Sequence, residues 1–240
     1  MFHPIRSLVA LAVLVALLVG ADRVAAHIAE NQIASAVQTA ADLDQKPKVA
    51  VRGFPFVTQA VRGYYARIDV TATDIFGRGD VGGRGSVTTV HFDGVHIPAS
   101  KALSGKVHTI AVDHVTGVVD VAFADIANAA HLPGLTVRAV AGHDDEVLVD
   151  ESTTVAGVAV NASVTAAVSL SGNTITLKAL SVQIPGGLTV PASVLSDLRS
   201  HAAFSVRVPG LPSGVRMTGI AVTPDGIDAS LQADKLTLTR

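Results

Sequence analysis

An α+β fold is predicted for this chain: an antiparallel sheet accompanied by one N-terminal helix and two short additional helices. Three observations predict it. Valine and threonine are concentrated in the middle and C-terminal parts, and β-branched side chains suit a pleated, half-buried surface. Residues 158 to 170 alternate strictly between apolar and small or polar side chains, the period of a strand. Residues 21 to 43 are alanine-rich, contain neither Gly nor Pro, and repeat their larger apolar residues at a helical spacing.

The chain of 240 residues is long enough to bury a substantial core. Its residues are 49% hydrophobic and 16% charged, with a net charge of -2, which excludes a broad electrostatic grip on nucleic acid. The absence of cysteine removes disulfides, thiolate nucleophiles, thiolate metal sites and a lipidated N-terminal Cys.

At the N-terminus, Arg6 precedes an apolar run from Leu8 to Gly20, and Val24-Ala25-Ala26 offers a small-residue cleavage pattern. That run rises only about 20 Å at about 1.5 Å per residue, short of an about 30 Å hydrocarbon layer. A cleaved signal peptide is the first expectation, and an uncleaved anchor through residues 5–21 competes with it. The chain is therefore expected to be exported to the periplasmic or cell-envelope space. Residues 1–26 form the signal or anchor, and 27–240 form one domain. In the helix that follows, Val24, Ile28, Ile33 and Val37 form the expected apolar stripe, and Asp42 through Pro47 end it.

Beyond Pro47 the period becomes two. In the strand of residues 154–170, Val158, Val160, Ala162, Val164, Ala166, Val168 and Leu170 share one face, sustained over roughly 40 Å at about 3.3 Å per residue. SGNT at 171–174 turns the chain, and Ile175, Leu177 and Ala179 resume the alternation. Further strands are expected at 65–74, at 86–97 with a bulge at Gly94, at 107–123, and at 135–140 and 146–150 around the loop AGHDDE. A last pair turns at Asp225-Gly226. Short helices are expected at 123–134 and 189–200. Residues 90–103 and 175–195 share a two-phase strand, an Ile-Pro ending and a Pro-Ala-Ser lead into a helix, which leaves two related sheet lobes as one explanation and coincidence as the other.

No catalytic constellation emerges. Gly77 to Gly82 match GxGxxG, but more glycines and a strand follow where a dinucleotide site requires a helix. His91, Asp93, His108 and His114 are read as surface residues, and His143-Asp144-Asp145-Glu146 as a solvated hairpin tip. No serine elbow is present, and no metal site or cofactor is expected. Asn161-Ala162-Ser163 is a formal glycosylation sequon inside the long strand. A long apolar ribbon with few charges either forms a solid core or lines a groove for an acyl chain. Moving about fifteen methylenes out of water is worth about 12 kcal/mol.

Three stretches stand out. The first is Gly53-Phe54-Pro55-Phe56-Val57-Thr58-Gln59 with Gly63, Tyr64 and Ile68. The second is Phe123-Ala124-Asp125-Ile126 through Leu132-Pro133-Gly134-Leu135-Thr136-Val137. The third is Val208-Pro209-Gly210-Leu211-Pro212-Ser213-Gly214-Val215, Thr218-Gly219-Ile220 and Val222-Thr223-Pro224-Asp225-Gly226-Ile227. They carry a resemblance to the LmeA-like phospholipid-binding envelope proteins of actinobacteria. It implies a fold similar to tubular lipid-binding (TULIP-like) domains, in which a long curved antiparallel sheet wraps the N-terminal helix around an apolar cavity. It also implies phospholipid as the partner, a link to mannan and lipoglycan synthesis, and no catalytic residues; with no lipidation cysteine, contact with a membrane surface is expected through residues 5–21.

Within 51–65, Pro55 restrains Phe54 and Phe56, Gly53 and Gly63 permit sharp bends, and Arg52 and Arg62 are suited to a phosphate. Arg52, Phe54, Phe56, Arg62 and Tyr64 are the candidate lipid-binding rim or cavity residues. The competing expectation is a helix-to-sheet joint whose phenylalanines plug the core. A non-catalytic envelope scaffold or protein-interaction module is the alternative function.

Overall fold

A computed structural model describes residues 4–40, 43–73, 87–103, 109–129, 135–155, 158–184, 192–201, 205–207 and 213–239. In chain order the elements are α1 (Pro4–Ala40), β1 (Lys48–Arg52), α2 (Phe56–Arg62), β2 (Tyr64–Thr73), β3 (Val87–His96), α3 (Ala99–Leu103), β4 (Thr109–Ala122), α4 (Phe123–Ala129), β5 (Thr136–Ala139), β6 (Glu146–Val155), β7 (Val158–Ser171), β8 (Thr174–Gln183), α5 (Ala192–His201), β9 (Ser205–Arg207), β10 (Arg216–Val222) and β11 (Gly226–Thr239). The α+β expectation holds. The strands form two sheets, ordered β1-β2-β3-β4-β11-β10 and β5-β6-β7-β8-β9.

The chain divides into two compact units. One comprises Met1–Thr71, Val90–Val115 and Asp234–Arg240, the other Ala72–Thr89 and Thr116–Ala233. In the first, α1 packs on β1 and α2. The apolar run and the following helix are one unbroken α-helix of 37 residues. Its inward face differs from the expected stripe. Val24 and Ile28 are exposed, whereas Asp22, Ala26 and Ala34 are buried. Alanine has no bulk beyond Cβ, so this face brings the helix backbone close to the sheet, and Val51, Phe56, Tyr65 and Ile68 are buried in the same unit. β1 pairs antiparallel with β2, placing Val51 opposite Ile68 and Arg52 opposite Arg67. Gly94 in β3 has φ 64, the left-handed conformation expected of a bulge glycine.

The second unit holds a continuous apolar cluster. Val119, Val121, Phe123, Ile126, Val137, Val147, Val149, Ala162, Val164, Ala166, Val168, Leu177, Ile227 and Ala229 all contribute to it. The alternation predicted for residues 158–170 is visible where Ala162, Val164, Ala166 and Val168 are buried and their neighbours Ser163, Thr165 and Ala167 are less so. β7 pairs with β6 on one side, Val164 opposite Val149, and with β8 on the other, Val168 opposite Leu177. A register shift between Thr165 and Ala166 brings Ala179 opposite Ala166 and turns Leu180 outward, where it is exposed.

The hairpins at residues 139–146, 171–174 and 222–226 fall where the turn residues put them. The strand expected from residue 154 is divided: β6 ends at Val155 and β7 begins at Val158. α2 and the short strand β1 were not expected. α4 starts at Phe123 as predicted, and α5 covers Ala192–His201. The two similar segments occupy matching positions, strand then short helix then strand, as β3-α3-β4 and β8-α5-β9. The GxGxxG segment, His108, Leu132-Pro133-Gly134 and residues 208–212 lie outside the described residues.

Candidate functional site

The stretch from Arg52 to Tyr64 is a helical connection between paired strands. β1 ends at Arg52, Gly53 turns with φ 96, and the Phe54-Pro55 peptide bond is cis. Pro55 then stands as N-cap of α2 in an extended conformation and offers no side-chain hydrogen bond. A proline side chain has no oxygen with which to cap, so the first amides of α2 need another acceptor. Asp22 of α1 supplies it. Its Oδ1 accepts the Val57 N–H at 2.9 Å, and the carboxylate is buried. Arg23 pairs with Asp22 at 2.7 Å, donates to the Gly53 carbonyl at 3.2 Å, and sets its guanidinium 5.4 Å from the centre of the Phe54 ring. Nearby, Glu30 of the same helix accepts the Val51 N–H at 2.9 Å.

Gln59 closes the connection from the other side. Its Nε2 donates to the Arg52 carbonyl at 3.2 Å and its Oε1 accepts the Ala66 N–H at 2.9 Å, joining the end of β1 to the start of β2. Gly63 terminates α2 in the left-handed conformation, φ 68, and its carbonyl accepts the Ile97 N–H at 2.9 Å. A Cβ at this position would lie 2.8 Å from the Ile97 carbonyl oxygen, so both conformation and space require glycine.

The five candidate rim residues part company here. Phe56 is buried, its ring 6.1 Å from that of Tyr65. Phe54, by contrast, is 61% exposed. Tyr64 is partly exposed with its ring edge-on to His96 at 5.1 Å. Arg52 is engaged by Asp69 at 2.6 Å, and Arg62 is exposed with no ion-pair partner among the described residues. The capping of α2 by Asp22 of α1, the Arg23 contact with Phe54 and the Gln59 bridge were not assigned from sequence. A lone Asp-Arg pair directly after an apolar run was the available signal, because charge at such a place needs a partner.

A polar face runs beside this joint. Asp69 accepts from Arg52 and lies 2.7 Å from His91, while Arg67 grips Asp93 at 2.7 Å. Burial pushes the Asp69 carboxyl up, but the hydrogen bonds from Arg52 and His91 outweigh it and hold the group below its ordinary 3.8. The Arg67 hydrogen bond likewise holds Asp93 low. His96 and His114 also have carboxylate neighbours, Asp113 at 3.2 Å and Asp234 at 2.6 Å. These surface histidines are thus hydrogen-bonded to carboxylates across neighbouring strands. On the hairpin tip, the ligand atoms of His143, Asp145 and Glu146 lie within 4.8 Å of one another, and the side chains are solvent-facing or partly so. Among the described residues nothing else around them marks a binding site.

These features define an α+β protein of two antiparallel sheets, an apolar interior and a helix-capped joint rich in exposed apolar and basic side chains. Residues 20–232 match the LmeA-like phospholipid-binding family, and the chain belongs to that family. Comparison with curated proteins gives no match, and neither does comparison with solved structures. The family match includes the whole joint from Asp22 to Gly63, whose glycines, proline and Gln59 now have structural reasons.

Proposed function

We propose that the protein is an exported phospholipid-binding protein of the cell envelope that holds lipid and passes it between membranes, in support of lipoglycan or mannan synthesis. It acts by binding and catalyses no reaction. Residues 1–26 serve export or anchoring, and 27–240 form the lipid-binding domain. The family match over residues 20–232 supports the phospholipid-binding part of this function. The charge-poor interior of valine, alanine and leucine supports it, since an acyl chain needs neither hydrogen bonds nor charge. Phe54, Arg62 and Tyr64 are the outer rim, Phe56 its inner side, and Arg52 a headgroup contact that competes with Asp69 for the guanidinium.

Native mass spectrometry of the full chain, released gently from its own host and followed by lipid extraction, tests this. A stoichiometric adduct of phospholipid mass is the expected result. A bare protein that also refuses added phospholipid would overturn the carrier function and leave a non-catalytic envelope scaffold.

A further inference from the structure

α1 enters the first unit without a break, and its two parts have opposite surroundings. From Leu8 to Ala21 the residues are exposed, and they open a helix, Leu8–Thr39, that is long and apolar enough to cross a membrane. From the next residue on, the same helix is built into the domain through buried Asp22 and Ala26. On its outer side the apolar character continues, because Val24 and Ile28 are 61% and 54% exposed. Residues 5–21 of this helix rise about 24 Å, a length that a slightly thinned layer of about 30 Å accommodates, and Asp22 and Arg23 then stand at its edge.

The joint is fixed to α1 at this level. Asp22 caps α2 at Val57, and Arg23 holds the Gly53 carbonyl and the Phe54 ring. The outer side of α2 is apolar: Val57 and Val61, one helical turn apart, are 49% and 73% exposed, beside Phe54. Arg62 is exposed at the end of the same helix. Cleavage after Ala26 would remove Asp22 and Arg23, taking the acceptor from the Val57 N–H and the cation from Phe54. A discarded leader has no reason to cap a helix of the mature fold, and the family match itself begins at residue 20.

We propose that α1 is retained as a membrane anchor and that Phe54, Val57 and Val61, tied to it through Asp22 and Arg23, form a surface that docks on the bilayer interface. Phe54 sits among the headgroups, where aromatic rings are favoured, and Arg23 and Arg62 meet lipid phosphates. The candidate lipid-binding rim then opens at the membrane. The inference rests on the export part of the proposed function but not on lipid occupancy of the interior.

Two measurements on the full chain test it. Intact mass of the protein from the membrane fraction of its own host should retain the residues before Asp22, and a chain beginning at His27 would overturn the proposal. The sequence has no cysteine, so Val57→Cys, Val61→Cys and, as an exposed control in β8, Ser181→Cys give clean single labels. Each is labelled with bimane and reconstituted in phosphatidylcholine–phosphatidylglycerol vesicles, with circular dichroism confirming the fold. Probes at 57 and 61 should shift to the blue and lose intensity when nitroxide lipids are included, while the probe at 181 should not. Equal emission and no quenching at all three positions would overturn the docking surface. Protection of 57 and 61 from aqueous iodide without quenching by nitroxide lipids would overturn it too, in favour of a second copy on this face. Quenching in a protein found bare by native mass spectrometry would refute lipid carriage and leave the docking surface standing.

Discussion

Replacing Phe56 and Phe54 separately by alanine discriminates an inner from an outer role for two residues that flank one proline. Phe56 is 7% exposed and packs on Tyr65. Its truncation removes a buried ring from the junction of α2 and the sheet and should cost about 3–5 kcal/mol. For a chain of this size that corresponds to a fall in melting temperature of about 6–20 °C. Phe54 is 61% exposed, and its one described ring contact is the Arg23 guanidinium, so its truncation should cost less than about 1 kcal/mol. The protein provides its own local probe. It has two tyrosines and no tryptophan, and both tyrosines, Tyr64 and Tyr65, lie at this joint. Thermal unfolding in mild detergent, followed by tyrosine fluorescence and by far-ultraviolet circular dichroism, reads the joint and the whole sheet content in parallel. Phe56→Ala should lower the tyrosine transition strongly, while Phe54→Ala should leave it nearly in place and weaken vesicle binding. Equal destabilisation by the two variants, or an unchanged tyrosine transition in Phe56→Ala, would refute the division.

Gly63→Ala should destabilise by more than about 1–2 kcal/mol, because the left-handed strain is joined by a Cβ 2.8 Å from the Ile97 carbonyl; urea titration measures it. Asp228 is raised above its ordinary 3.8 by burial and by the Asp120 charge, so its contribution to stability is present at acid pH and lost as pH rises through its folded value. Asp228→Asn should therefore melt higher than the parent at pH 7, with the gain vanishing as the solution is taken below 3.8. Asp150 behaves oppositely: burial raises it, but the hydrogen bonds from Arg138 and Ser163 outweigh that and lower it. Its stabilisation is present above the unfolded value and lost as pH falls through the folded one, so Arg138→Ala should melt slightly lower near neutrality, by no more than about 1 kcal/mol for this exposed pair. That gap should close in strong acid, and a scan of melting temperature against pH checks both aspartates.

Local pattern was sufficient for most of the second unit. The face carrying Ala162, Val164, Ala166 and Val168 was legible because a strand buried on one side must alternate, and the turns at 171–174 and 225–226 were legible because few residues tolerate them. The inward face of α1 was not. Val24 and Ile28 have the right spacing for a core stripe, yet the packed face is Asp22, Ala26 and Ala34. Periodicity identifies an apolar face but not what covers it, and here the larger residues Val24 and Ile28 face outward.

By itself the sequence determined the α+β class, the apolar N-terminal run, the hairpins and, through the stretches 53–68, 123–137 and 208–227 together, the resemblance to a lipid-binding family. Only the tertiary structure decided that Phe56 faces inward and Phe54 outward, that Asp22 caps a helix thirty-five residues away, and that Gln59 bridges two strand ends. The reason is physical. Strand alternation and turn geometry are set by neighbours in the chain, whereas the partner of a buried carboxylate or the side of a ring that meets solvent depends on which distant segment arrives beside it.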